Sequence, residues 1–514
     1  MKYLDKRHNF IKRTAFIVFI CVISIYAKWG QPQTGWGDFQ IGLVNNNRPL
    51  WDTPMKQALS DPTGKYQLDR RYVYIDNFAN VTQSYWGKDQ YAWTGRNWSK
   101  DSFYVAHHVN PCIVVYMLQR GGDSYDYLSQ NIQDSVFMRQ YFDTLAFIAD
   151  SSKGMHTIYV VEPDVWGYVL QHAREHDTGP SRTMDDWSAI ADNHLNAPCH
   201  INDIGIPWLS DTNEFKNKLS YLPGAIIKTL KQVDPSSFAG VLMAFWAWKP
   251  ANATTLGIFQ DSQNNINIAA REESKFLKAL LGTTPYRGDF LGVEKNGTDL
   301  GCWKMMSPPS VYATTLNWDD LANSKWIGFS KTLAQTVDLP LLGWQISIGH
   351  PNLPNIANEY EDTFFPYFFS HTQEYINAGF IGMMAGCANQ DKGTVATIDA
   401  NAIGDKGWFY SQLATFNTKR PYNLDIAPSK AGGERSVAVR EQYCLFRIVN
   451  KTIIFDKQLA TSAHFELFDV SGRMVMETAI KGMNALSFES RKPGIYIVRI
   501  HNSGTTQVAS LILN

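Results

Sequence analysis

Two carboxylates separated by a proline leave an apolar run at Ile158-Tyr-Val-Val-Glu162-Pro163-Asp164-Val-Trp166-Gly167. Such a pair can divide general-acid work from nucleophile or base work if its surroundings push the two proton affinities apart. Residues 158 to 161 are β-branched or aromatic and read as a fully buried strand. Side chains alternate along a strand, so Glu162 and Asp164 would point to one side if the extension continues past Pro163. Proline also restricts the residue before it to extended geometry, which would hold Glu162 at the strand's exit. The plain alternative is a strand-terminal turn with solvated acids.

The elements that would position these acids can be counted. Eight apolar runs read as buried strands: 39–44, 72–76, 112–117, 158–162, 240–245, 289–294, 341–345 and 380–384. Helical patterns precede the fourth to eighth, over 138–149, 215–233, 272–281, 326–336 and 367–378. Strand–helix alternation favours parallel βαβ units. Eight such units closing on themselves predict an α/β fold, a (β/α)₈ barrel over residues 30–420. An open doubly wound sheet would want a glycine-rich turn after the first strand, where Asn45-Asn-Asn-Arg-Pro stands instead.

A barrel puts its chemistry at the carboxyl ends of its strands. The exits carry Asp76 and Asn77 (second), Gln119 and Arg120 (third), and Glu162, Asp164 and Trp166 (fourth). They continue with Trp246 and Trp248 (fifth), Glu294, Asn296, Asp299 and Trp303 (sixth), and Trp344, Gln345 and His350 (seventh). Acids, amides and indoles at nearly every exit describe a polar cleft able to stack sugar rings and bond their hydroxyls. Glycoside hydrolysis fits, because it needs two carboxyl groups flanking the scissile bond. Glu162 is the expected acid, with Glu294 or Asp299 as partner. Asp164 is the alternative catalytic carboxylate, with Glu162 modulating it. Asp76, Asn77, Trp166, Trp246, Trp248, Asn296, Trp303, Trp344, Gln345 and His350 are the expected substrate contacts. Neither a metal nor a cofactor is expected.

Composition agrees with a large folded unit. Apolar residues make up 44% of the 514 and charged residues 18%, which argues against disorder. A net charge of −1 leaves no electrostatic footprint for nucleic acid. Lys2, Lys6, Arg7, Lys12 and Arg13 precede a short apolar run, Thr14 to Ala27. That pattern predicts a secretory signal over 1–27, with no stable membrane span after its removal. Five cysteines beyond it are too sparse for a disulfide framework and read mostly as buried thiols.

From residue 441 to the end the pattern changes to short alternating strands divided by turn signals such as Asp469-Val-Ser-Gly472 and Lys492-Pro-Gly494. These predict a small β-sandwich, with 421–440 as linker. Leu467-Phe-Asp-Val-Ser-Gly-Arg473 followed by Pro493-Gly-Ile-Tyr-Ile-Val-Arg499 resembles the C-terminal sorting domain of the type IX secretion system. The resemblance implies passage across an outer membrane by that machinery, to the medium or the cell surface. A sugar-binding sandwich is the alternative.

Val161-Glu-Pro-Asp164 resembles the Glu-Pro-Asp strand end of the inverting cellobiohydrolase and endoglucanase family with a distorted barrel, over those four residues. The large group of barrel glycosidases with glutamates on strands four and seven is matched at Glu162 alone, since strand seven ends in Trp344-Gln345. The wider pattern, with Trp344-Gln-Ile-x-x-Gly-His350 and Tyr360-Glu-Asp362, resembles barrel proteins of polysaccharide-degrading bacteria. These resemblances imply a secreted carbohydrate-active protein with a polysaccharide or oligosaccharide substrate. No established mechanism carries over from them. A non-catalytic carbohydrate-binding barrel is the alternative. A second rival is His172-Ala-Arg-Glu175-His176, whose two histidines four apart on a helix match an inverted zinc-peptidase pattern. It lies on the helix after strand four, outside the barrel.

Overall fold

A computed structural model describes residues 36, 38–45, 49–76, 98–122, 124–177, 194–243, 263–295, 300–305, 319–386 and 393–420, and seven strands beyond 445. The expected signal segment and linker lie outside these residues. The chain divides into two compact units, one up to Val437 and one from Ala438. No helix among the described residues is long and apolar enough to cross a membrane.

In the first unit, eight strands close into a parallel barrel in chain order: β1 (Gln40–Val44), β2 (Arg70–Asp76), β3 (Asn110–Tyr116), β4 (Ile158–Val161), β5 (Phe238–Met243), β6 (Leu291–Glu294), β7 (Leu341–Ile346) and β8 (Phe380–Ala385). β8 returns to β1 through Gln40–Gly382 and Ile41–Met383 pairs, so the sheet has no edge. All eight are the expected strands. Buried on both faces, such strands need continuous apolar runs: Ile158 to Val161 and Phe380 to Ala385 are buried throughout. Gly240 of β5 is needed for close approach, since a Cβ there would sit 2.2 Å from the Phe290 carbonyl oxygen.

Helices cover the outside: α1 (Pro49–Leu59), α2 (Ser102–Ala106), α3 (Tyr125–Ile132), α4 (Ser135–Ser151), α5 (Val165–Asp177), α6 (Leu222–Val233), α7 (Gln263–Gly282), α8 (Leu300–Met305), α9 (Asp320–Val337), α10 (Phe364–Ser370), α11 (Thr372–Asn377) and α12 (Trp408–Asn417). Acidic caps start several of them. Asp134 accepts from the Val136 and Phe137 amides at α4, and Asp319 from the Ala322 amide at α9. The expected helix from 215 begins later, because Pro223 suits only a first turn and opens α6. The expected helix over 367–378 is two, divided at His371. Arg420 clamps Asp69 with two bonds of 2.7 and 2.6 Å, tying the chain beyond α12 to the turn before β2.

The second unit contains two antiparallel sheets. One has the order β13 (Ala485–Ser487), β10 (Thr452–Phe455), β9 (Phe446–Val449); the other is β12 (Met474–Ala479), β11 (His464–Asp469), β14 (Gly494–Asn502), β15 (Thr505–Leu513). Alternating residues at 443–449, 464–469, 473–478, 494–500 and 507–513 predict β9, β11, β12, β14 and β15. That pattern does not predict β10 or β13.

Candidate active site at the carboxyl ends of the strands

The barrel register fixes which side chains look inward. Tyr72 and Tyr74 of β2 both meet Trp344 across the interior, with ring centroids 4.6 and 5.8 Å apart. In register, Tyr72 lies beside Cys112 and then Ile158, and Tyr74 beside Val114 and then Val160. Neighbours in register share a face, so Ile158 and Val160 also point inward. Strict alternation would send Glu162 the same way.

It does not go there. Glu162 adopts φ 51°, a left-handed conformation uncommon for any residue but glycine and not the extended one expected before Pro163. The side chain turns outward, beneath α4. There the Tyr141 hydroxyl donates to Oε1 at 3.0 Å, the Met117 amide to both oxygens at 3.1 and 3.0 Å, and the Leu118 amide to Oε2 at 3.1 Å. Glu162 is fully buried. Burial pushes its carboxyl up to about 8 against these donors. A raised carboxyl is what a catalytic acid shows, but buried structural networks produce it as well. With no exposure and both oxygens engaged, Glu162 orders the chain leaving β3. The expectation that Glu162 and Asp164 share a side is therefore corrected: the strand ends at Val161, and Pro163-Asp164 form a turn.

Asp164 is partly exposed and accepts a 2.6 Å bond from the Tyr116 hydroxyl. Tyr116 ends β3 two residues beyond inward-facing Val114, so it shares the inward face. Glu294 ends β6, is partly exposed, and lies in register with Trp344, which places it on the inward face at the mouth. The next residue, Lys295, is fully buried in an ion pair with Asp362 at 3.0 Å, and its ammonium also donates to Ser347 at 2.9 Å. Asp362 further accepts from the Phe364 amide at 2.8 Å. The desolvation of this pair is offset by those added hydrogen bonds. It ties the exits of β6 and β7 together directly behind Glu294.

β7 is irregular between Gly343 and Ile346, and Gln345 has φ 50°. Consecutive side chains of a regular strand point to opposite faces. Here Trp344 Nε1 donates to the Tyr74 hydroxyl at 3.0 Å, and Gln345 Nε2 donates to the same oxygen. Burial raises the Tyr74 phenol well above its ordinary range; the Glu294 and Asp164 carboxylates raise it further. Both acids thus lie within electrostatic reach of one hydroxyl.

Other expected contacts are occupied differently. Trp166 is fully buried, its indole N–H on the Val161 carbonyl at 3.3 Å. Trp344 is fully buried as well, so neither presents a face for stacking. His350 packs on Trp408, accepts from the Asn352 amide at 3.2 Å and bonds the backbone of Asp405. Asn77, Trp246, Trp248, Asn296 and Asp299 lie outside the described residues, and Asp76 and Trp303 are described by backbone alone. Sequence reasoning missed Tyr74 and Tyr116. Alternation from buried Tyr72 along β2 and from Val114 along β3 would have found both.

His172 stacks on Tyr125 with ring centroids 3.8 Å apart and bonds His194 at 2.8 Å. The Glu175 and His176 side chains lie outside the described residues. Cys112 and Cys199 are buried free thiols, and Cys302 is buried as well.

Residues 449–514 match the secretion system C-terminal sorting domain. The C-terminal unit is therefore a type IX sorting domain, and the protein is secreted or held at the outer-membrane surface. The search of curated proteins returned no match. Among solved structures, an endo-β-1,4-mannanase double mutant from Cellulomonas fimi aligns at 10% identity over 93% of this chain and 94% of that one, with a TM-score of 0.41. GH10 from Paenibacillus barcinonensis aligns at 12% over 76% and 98%, with a TM-score of 0.37. Xylanase 10B from Thermotoga maritima aligns at 9% over 75% and 97%, also with a TM-score of 0.37. The (β/α)₈ architecture stands on the closed register of its own eight strands.

Proposed function

We propose that this protein is a secreted glycoside hydrolase in which Asp164 and Glu294 are the working carboxylates. The supporting observation is that an acid after β4 and an acid ending β6 stand at the barrel mouth within electrostatic reach of the same Tyr74 hydroxyl. The pair lies on strands either side of β5, where a glycosidic bond could be flanked. One carboxyl would protonate the leaving oxygen while the other attacks the anomeric carbon or activates water. Tyr116 fixes the Asp164 carboxylate by direct hydrogen bonding; the Lys295–Asp362 pair fixes the backbone carrying Glu294. Glu162 acts one step back, holding the β3 exit that carries Tyr116. This is the alternative division of the Glu-Pro-Asp motif, with Asp164 reactive and Glu162 supporting it. Export by the sorting domain puts such an enzyme where polysaccharides are met.

The test is a panel of β-1,4-xylan, β-1,4-mannan, β-1,4-glucan and β-1,3-glucan, scored by new reducing ends. Activity on one member that is lost in both Asp164→Asn and Glu294→Gln supports the reading. Azide restoring one of the two variants would identify the nucleophile or base. Binding without cleavage by the wild type would make the protein a carbohydrate-binding barrel.

A further inference from the structure

The Tyr74 hydroxyl has an unusual set of partners. An indole N–H and an amide N–H₂ can only donate, so Trp344 Nε1 and Gln345 Nε2 together occupy the acceptor capacity of the oxygen. The phenolic proton is left to be given away. Tyr74 is partly exposed, and both Glu294 and Asp164 act electrostatically on its hydroxyl. Both of those groups are acceptors when ionised, so they bind sugar hydroxyls through the sugars' protons. A sugar hydroxyl also has lone pairs, and these need a donor.

The backbone that creates this arrangement is irregular at one place. β7 breaks register between Gly343 and Ile346, and Gln345 takes φ 50°. Without that break, Trp344 and Gln345 would point to opposite faces. A non-glycine residue in this region is strained and persists where the surroundings enforce it, commonly at functional sites. Bulges likewise re-aim side chains beside active sites.

Resting on the glycoside hydrolase reading, we propose that Tyr74 is a dedicated hydrogen-bond donor to a hydroxyl of the sugar unit held between Asp164 and Glu294, and that Gln345 is the positioning residue that commits it to donating. Its phenol stays protonated through the working pH range because burial and the two carboxylates disfavour the phenolate. Donor bonds received by the oxygen also polarise its O–H and strengthen the bond it gives.

The experiment uses the full-length secreted protein with xylohexaose, mannohexaose, cellohexaose and laminarihexaose, then with monodeoxy analogues of whichever is cut. Tyr74→Phe should lower kcat/KM about 10- to 100-fold, mostly in kcat. That loss should vanish for the one analogue lacking the hydroxyl that Tyr74 reads. Gln345→Leu, which keeps the phenol, should cost about 3- to 10-fold. A Tyr74→Phe protein within twofold of wild type, or one whose loss is equal on every analogue, overturns the inference. Should Tyr74→Phe fail to fold by circular dichroism, Gln345→Leu on the same analogues decides alone: a loss that vanishes for one analogue supports the inference, and an equal loss overturns it. If Asp164→Asn and Glu294→Gln abolish cleavage while Tyr74→Phe does not, only this inference falls. If those two variants keep full activity, or if the wild type neither cuts nor binds any of the four by calorimetry, the functional reading falls and takes this one with it.

Discussion

β4 and β7 leave the barrel through the same rare backbone conformation, with opposite results. Glu162 has φ 51° and swings outward under α4; Gln345 has φ 50° and swings inward to Tyr74. In the first, the side chain with the stronger chemistry is removed from the mouth and spent on four donor contacts that order a neighbouring strand exit. In the second, a neutral amide is brought to the mouth and aimed at a hydroxyl between two acids. Residue type alone would rank the two in the reverse order. A single left-handed residue cancels the period-2 rule on which side-chain direction is read, so the exits of a barrel are where that rule is least reliable.

The comparison can be broken or sharpened in several ways. The largest expected effect is on turnover: Asp164→Asn or Glu294→Gln should lower kcat by about 10² to 10⁴ with little change in melting temperature. Lys295→Met should destabilise the fold by about 3–5 kcal/mol, because it leaves the buried Asp362 charge unpaired. Chemical denaturation measures that loss, and pairing it with Asp362→Leu should recover much of it. At pH 5, where the Glu162 carboxyl is neutral, Glu162→Gln should cost about 1–3 kcal/mol, because its N–H₂ brings a second hydrogen among the Met117, Leu118 and Tyr141 donors. Tyr141→Phe, losing the donor to Glu162 Oε1, should cost ~1 kcal/mol.

A further effect is in pH dependence. Glu162 is held at about 8, above a carboxyl's ordinary 4.5. A carboxyl whose folded pKa is raised binds more protons in the folded state between those values, so its contribution is present below pH 4.5 and is lost as pH rises to 8. Asp405, buried and raised to about 7, acts in the same direction. The melting temperature of wild type should therefore fall between pH 5 and 8.5 more than that of Glu162→Gln, and the difference isolates Glu162. Equal slopes would place Glu162 outside the buried network.

Much of the barrel was legible because burial on both faces leaves continuous apolar runs, as in Cys112-Ile-Val-Val and Ile158-Tyr-Val-Val. The sorting domain was legible from its two turn-and-strand motifs, and the residues they occupy fall within the matched segment. The site was only partly so. Asp164 and Glu294 stand where strand ends were counted, but Glu162 was misdirected because nothing in Val-Val-Glu-Pro announces φ 51°. Trp166 and Trp344 look like sugar platforms by type, yet one caps its own strand and the other fills the barrel interior. Tyr74 and Tyr116 carry a readable signal, alternation within their strands.

The most direct measurement sets Asp164→Asn beside Glu162→Gln, on the polysaccharide that the wild type cuts, at a temperature where both are folded. The account predicts that Asp164→Asn loses at least about 10²-fold in reducing-end production while Glu162→Gln stays within about tenfold of wild type. A folded Glu162→Gln that is inactive, beside an Asp164→Asn that retains wild-type turnover, would contradict it.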